Sequence, residues 1–372
     1  MARGEQDRPV PWRERVICFA LLPLTWAIQS GARTHPDGVE RIYSQTIYPF
    51  IREFIGTLTG WMHYSFAEIL IYLTILLVLY RVYRAVQGLA RRVRSPRNVA
   101  AHTVSWTLGF IGLAYCIGMV LWAFNYHRQP FLYTENLDRV GISAPELQEV
   151  CLDLAAEANK LRAPLPEDDQ GVLRLPESKR EALQRAKRAF DVAEQPYASL
   201  QDGFVSNPKG LLLPILPNFH VAGFFFPYTH EPNVAIEQPV HSLLFSSCHE
   251  MAHQLSWARE EEANFVGYAV CRYHPDDDYR YAVTQGALRY ALWTLEAMDR
   301  ERAVGVRTLL EPGILRDWEA SKNFWSEYDG RIADSAQKVN DAYLKSNGQE
   351  EGVRSYGLMV DLLVADYRRR SE

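Results

Sequence analysis

The hydropathy of the chain changes near residue 130: the long uncharged runs lie before it, whereas charge is interspersed regularly after it. The clearest run extends from Asn98 to Tyr126 without a Lys, Arg, Asp or Glu, and 104–124 alone supplies the about 20 apolar residues that a bilayer-spanning helix needs. A second run, 61–80, has His63 and Glu68 near its start and the apolar stretch Ile69–Leu79 behind them, which places Glu68 near an interface. The first, 16–32, is short and carries Pro23; alone it reads as a signal-peptide core, a buried helix or a marginal span. No convincing small-residue cleavage site follows, so a retained span is favoured. The competing reading, three core helices of a soluble protein, sits badly with the length of the third run.

Arginine sets the expected orientation. Arg81, Arg84, Arg91, Arg92, Arg94 and Arg97 separate the second and third runs with no acidic residue among them. The loop from 33 to 53 instead balances Arg33, Arg41 and Arg52 against Asp37, Glu40 and Glu53. Positive charge stays cytoplasmic, so three spans put the N-terminus inside and everything beyond about residue 127 outside. If the first run does not span, only the N-terminus changes side.

Beyond Pro130 the pattern is mostly helical. Ser143-Ala-Pro-Glu146 has the form of a capping box opening a helix through about Lys160, and 176–193 predicts another. The runs 210–214 and 222–228, apolar or aromatic and bounded by Pro and Gly, predict short strands; helical patterns return from about Leu243 to the end. The expected organisation is a membrane anchor over 1–130, with transmembrane helices at about 16–32, 61–80 and 104–124, and an extracytoplasmic domain over 131–372. The fold class is mainly α with a small sheet.

Composition adds limits. A chain of 372 residues with 48% hydrophobic and 23% charged residues is ordinary for a folded protein. The net charge is -5, and the one strongly basic stretch lies between two apolar runs, where membrane topology explains it; no nucleic-acid partner is expected. Cys18, Cys116, Cys151, Cys248 and Cys271 form neither CxxC pairs nor a disulfide framework, which leaves the redox compartment open. Cys18 and Cys116, inside apolar runs, read as packing residues.

The segment with chemistry is His-Glu-Met-Ala-His at 249–253. On a helix, i and i+4 share a face, so His249 and His253 converge on one point while Glu250 reaches a cation-bound water. Zinc in catalytic sites takes three protein ligands and keeps a position for water, with a carboxylate as base. The pattern alone is weak, because two helical histidines also occur as surface or core residues. A third ligand is needed, and Arg259-Glu260-Glu261-Glu262-Ala263-Asn264 follows.

On a straight helix Glu260 would stand about 10 Å along the axis from His253, so the chain must bend near Ser256-Trp257 and return. A second helix from there puts Glu260, Ala263, Asn264, Gly267 and Cys271 on one face; the four after Glu260 are small enough for close packing on the first helix. Glu260 is therefore preferred as third ligand, with Asn264 one turn behind as an orienting partner. Glu262, about 200° away around the helix, and then Glu261 are the alternatives. The plain alternative is a solvated acidic helix start favoured by the dipole. Upstream, Gly223 to Val234 reads as an edge strand able to align a substrate backbone, or as an ordinary buried aromatic strand. His220, His230, His241 and His274 stand alone, and lone histidines are mostly structural.

Several blocks together resemble the bacterial membrane protein family described as domain of unknown function 3810. They are Tyr43-Ser44, Ile47-Tyr48-Pro49, Ser65-Phe66-Ala67-Glu68, Asn125-Tyr126, Phe226-Pro-Tyr-Thr-His-Glu-Pro-Asn233, Cys248-His-Glu-Met-Ala-His-Gln254, Ala258-Arg-Glu-Glu-Glu-Ala-Asn-Phe265, Asn340-Asp-Ala-Tyr-Leu-Lys345 and Gly352-Val-Arg-Ser-Tyr-Gly357. The resemblance implies a zincin-like α+β peptidase domain on a membrane anchor, with Zn2+ as cofactor and no stated substrate. Glu260 to Asn264 is also similar to the Glu-x-x-x-Asp element of membrane peptidases that process prenylated proteins, with Asn in place of Asp. Ser256-Trp257 stands where the family commonly has Gly followed by an aromatic. Tyr356 and Tyr343, in the C-terminal blocks, are the candidate oxyanion stabilisers. The expected activity is hydrolysis of peptide bonds in a peptide or protein substrate, with membrane lipid as the other partner. A non-hydrolytic metal-binding sensor or peptide-binding protein is the alternative, and a cell-wall amide is a further substrate possibility.

Overall fold

The computed structural model describes residues 12–92, 94–137, 141–191, 195–201, 203–347, 349 and 359–371. Its apolar runs form α1 (Trp12–Arg33), α3 (Phe66–Ala90) and α4 (Pro96–Leu121); α2 (Tyr48–Gly60) lies between the first two. Ser65 and Ser95 begin α3 and α4, their hydroxyls accepting the N–H groups of Glu68 (2.9 Å) and Asn98 (3.3 Å). The Ser65 cap is why the second apolar run becomes helical at Phe66 rather than at 61. Arg81 and Arg84, expected in a loop, extend α3, and Arg97 lies in the first turn of α4. At the other end α4 stops at Leu121, short of 124, and a 3-10 turn follows over Ala123–His127.

Among the described residues, α3 and α4 are the two helices long and apolar enough to cross a membrane. Of the three runs expected to span, α1 is not one of them: Thr25, Gln29 and Ser30 interrupt its apolar positions. It nevertheless packs along α4, where a Cβ added to Gly112 would come within 2.9 Å of Leu21 Cβ.

Residues 36–60, which carry balanced charge, are helical throughout, including a π-helix over Val39–Ile47. They are also docked on the chain that follows. Tyr48 donates to the Gln254 carbonyl (2.8 Å), Thr59 to the Thr229 carbonyl (2.8 Å), and Arg128 forms a bidentate pair with Glu40. Val39, Tyr43 and Tyr48 share an apolar cluster with Trp122, Tyr126, Phe225 and Ala258.

The main core is built by α5 (Ala144–Arg162), α6 (Val240–Gln254), α7 (Glu260–Cys271), α8 (Asp277–Met298) and, after α9 (Pro312–Ser326) and α10 (Arg331–Ser346), by α11 (Met359–Ser371). Leu147, Leu154, Leu244, Met251, Phe265, Val266, Leu288 and Leu363 meet there. Ser143 caps α5 by accepting the Glu146 N–H. Of the helix expected over 176–193, the described residues to 191 form Lys179–Leu183 and a 3-10 turn over Ala186–Ala189, and 192 and 193 lie outside the described residues; Arg185 is held by Glu177, Asp276 and Asp278.

A three-stranded sheet has the order β1 (Lys209–Gly210), β3 (Glu231–Val234), β2 (Gly223–Phe226), with β1 parallel and β2 antiparallel to β3. The strand expected over 210–214 therefore ends at its first residue. The Glu68 carboxylate accepts the N–H groups of Leu212 and Leu213 and takes the place of a neighbouring strand.

The cysteine spacing concealed a bridge: Cys248 on α6 is disulfide-linked to Cys271 on α7, a separation of 23 residues that carries no motif. It forms because the two helices pack antiparallel with those positions face to face. Cys116 and Cys151 are free.

Candidate metal centre

α6 ends at Gln254, and the chain reverses through Ser256, whose φ of 96° lies in the left-handed region disfavoured for a residue with a Cβ. Arg128 holds this corner: its guanidinium lies 3.7 Å from the Trp257 ring centroid and donates to the Ser256 hydroxyl. α7 then returns along α6 at close range. A Cβ on Gly267 would stand 3.0 Å from the Cys248 carbonyl carbon and 3.1 Å from the His249 nitrogen.

That closeness brings Glu260 to the histidines. Its Oε2 lies 3.2 Å from His249 Nε2 and 3.5 Å from His253 Nε2, and a ligand atom from each residue falls within 4.8 Å of the others. The other ring nitrogens are engaged. His253 Nδ1 is 2.7 Å from the Trp257 carbonyl, which can only accept, so Nδ1 carries a hydrogen and Nε2 is the nitrogen that faces the cluster. His249 Nδ1 is paired in the same way with Asn264 Oδ1 at 2.8 Å. Two oriented imidazoles and a carboxylate could hold a metal ion.

The electrostatics are those of a buried, mutually compensated group. Burial alone would raise Glu260, but the His253 and His249 rings outweigh it and hold the carboxyl well below the usual range. Burial opposes charge on His253, yet Glu260 raises it to about 9. Glu250, 4% exposed, is pushed up to about 7 by burial, and its Oε2 has no hydrogen-bond partner.

The backbone beside Glu250 belongs to β2. Phe225 is opposite Pro232, which has no N–H, so that pair is not hydrogen-bonded and the Phe225 N–H turns outward to the Glu250 carboxylate. Gly223 is closer still: a Cβ there would lie 2.8 Å from Glu250 Oε1. β2 is the sheet's edge, so its outward backbone groups border a cleft of ≈ 1290 Å³ whose lining includes His249, Glu250, His253, Glu260 and Asn264.

The other expected residues are elsewhere or differently used. Glu262 accepts the Phe131 N–H at 2.7 Å and pairs with Arg259, and Glu261 accepts from Gln349, so neither faces the cluster. Tyr343 lines the cleft, with its ring 6.1 Å from that of Tyr126. Tyr356 lies outside the described residues. His220 pairs with Asp329, His274 bonds the Arg185 carbonyl, and His230 and His241 are buried, their pKa values lowered to about 4 by desolvation. Trp122, whose Nε1 donates to the His253 carbonyl at 3.0 Å, was not foreseen as a site residue; nor were Arg289 and Tyr290, which line the cleft from α8. None carries a local signal, because each reaches the site through tertiary packing.

The family described as protein of unknown function (DUF3810) matches residues 43–364. No curated protein and no solved structure matches the chain.

Proposed function

The chain belongs to this family, whose description carries no activity to inherit, and from the site itself we propose a membrane-anchored, zinc-dependent metallopeptidase. His249, His253 and Glu260 would hold the cation: two neutral imidazole nitrogens and one carboxylate oxygen are a donor set that zinc takes in catalytic sites. Bound zinc polarises a carbonyl and lowers the pKa of water. The chain's own part is proton transfer and alignment. Glu250 Oε2 accepts a proton from water and returns it to the leaving amine, while the Phe225 N–H steadies the same carboxylate. An extended substrate adds to the outward edge of β2.

The observation that carries this reading is the unpartnered Glu250 Oε2, buried beside two imidazoles whose Nε2 atoms face Glu260. A sensor or peptide-binding protein has no use for such a base.

The membrane arrangement is part of the proposal. α3 and α4 cross as a hairpin, and α1, with Ile17, Phe19, Leu24, Trp26 and Ile28 exposed, lies against α4 as an apolar surface. The Arg-bearing turn between α3 and α4 is at the opposite end of the hairpin from the site, so positive charge inside puts the cleft outside.

The test uses the full chain in detergent. Zinc content and hydrolysis of a peptide library are measured for wild type, His253→Ala and Glu250→Gln. Expected are about one zinc in wild type and Glu250→Gln and its loss in His253→Ala. Turnover should fall about 10²–10⁴-fold in Glu250→Gln. Wild-type protein without stoichiometric metal would end this reading.

A further inference from the structure

The direction of the groove relative to the apolar helices bears on what enters it. β2 begins at Gly223, against Glu250, and ends at Phe226, whose ring is 5.1 Å from that of Tyr228. Tyr228 donates to the Ala114 carbonyl at 2.8 Å, and a Cβ on Gly118 would stand 3.1 Å from its hydroxyl. Ala114 is seven residues before the Leu121 end of α4, about 10 Å inside it. The edge strand thus runs from the base to a point alongside the apolar helix.

The opposite wall points the same way. Ile332, Ala336, Val339 and Tyr343 follow one another at i, i+4, i+7 and i+11 on α10 and line the cleft; Val339 is 70% exposed. The end of α10 is tied to α1: Gln29 Nε2 donates to Asn347 Oδ1 at 3.2 Å, and Arg33 donates to the Ser346 carbonyl. Apart from the cleft lining, Leu212, Leu213 and Ile215 are exposed while Glu68, in the first turn of α3, grips the amides of the first two. A groove bordered by a strand with no neighbouring strand on its outer side, with an apolar wall and one end of each wall fastened to the N-terminal helices, suits an extended apolar peptide approaching from the bilayer.

We infer that the substrate is the juxtamembrane segment of a membrane-anchored polypeptide, drawn in extended form along β2 and cut a few residues outside its own span. This rests on the peptidase reading above. At about 3.3 Å per residue, the four residues of β2 span about 13 Å, so the scissile bond at Glu250 lies about 4 residues from the point where the strand comes alongside α4. Hydrolysis adds water across the C–N bond: the oxygen goes to the carbonyl carbon, and the proton passes through Glu250 to the amine. Anchoring replaces a search in solution by an encounter at high effective concentration.

The experiment places the full-length protein in phospholipid vesicles with single-span reporter polypeptides that carry a randomised exterior segment. A photo-crosslinking residue stands about 5 or about 25 residues outside the span, and the same segments are also supplied free of it. Glu250→Gln is used for cross-linking and wild type for hydrolysis. Expected are cross-links to β2 and α10 from the near position only, loss of about tenfold in cross-linking with Val339→Glu, and cleavage at least about tenfold faster for anchored than for free segments. Equal cleavage of free and anchored segments would overturn the inference and leave the peptidase standing. Near-position cross-links without any hydrolysis by wild type would uphold the docking and remove the peptidase. Absence of near-position cross-links would overturn the inference outright.

Discussion

Gly223 has no room for a side chain: a Cβ there would meet the Asn233 carbonyl oxygen at 2.6 Å as well as Glu250 Oε1. Gly223→Ala is expected to displace the base and lower turnover at least about 10²-fold with zinc retained, measured as rate and metal content on one sample. Asn264→Ala removes the acceptor that orients His249 and should weaken zinc binding about 10–100-fold in a chelator competition. Unchanged affinity would mean that packing alone sets the ring. At this scale the sequence was readable where the chemistry is local. His249 and His253 are one helical turn apart, and the small residues after Glu260 state that α7 packs close to α6. Gly223 was readable only as the start of a candidate edge strand and Trp122 not at all as a site residue; the Trp122 bond to the His253 carbonyl spans 131 residues.

The α6–α7 pair is the element on which the site depends. Gly267→Val would force apart two backbones already at contact, which is expected to cost about 1–3 kcal/mol and lower the thermal midpoint by several degrees in a calorimetric scan. A variant as stable as wild type would show that α7 can shift without loss. The start of α5 is declared in the sequence by Ser143 because the cap is a local bond, whereas the run that Ser65 caps as α3 is expected from 61. Residues 210–214 have a strand's composition, but Glu68 takes the amides that a strand would offer. The segment Val39–Ile47 reads as part of a charge-balanced loop, although Val39, Glu40, Tyr43 and Ser44 make one buried face of a π-helix.

In the whole molecule, the N-terminal third supplies more than apolar helices. Lys209 is 1% exposed and donates to the Gly60 and Met62 carbonyls, and the Glu231 carboxylate accepts the N–H groups of Phe66 and Ala67. A chain beginning at residue 131 lacks the Gly60 and Met62 carbonyls and the Phe66 and Ala67 N–H groups, and it opens the apolar cluster that Tyr43 and Tyr48 share with Trp122 and Phe225. It is expected to show no cooperative melt by circular dichroism where the full chain does; a native-like melt would make the preceding helices dispensable to folding.

The Cys248–Cys271 disulfide encloses a stretch of chain that holds His249, His253 and Glu260 together. Such a bond forms on the oxidising side of a membrane and stays open in a reducing cytoplasm. On the proposed topology the bond that ties α6 to α7 therefore closes only after export. Pulse-labelled cells treated with a thiol-alkylating probe should show Cys248 and Cys271 reactive in chains held before translocation and unreactive in exported ones; reactivity in the exported chains would break the link between maturation and location.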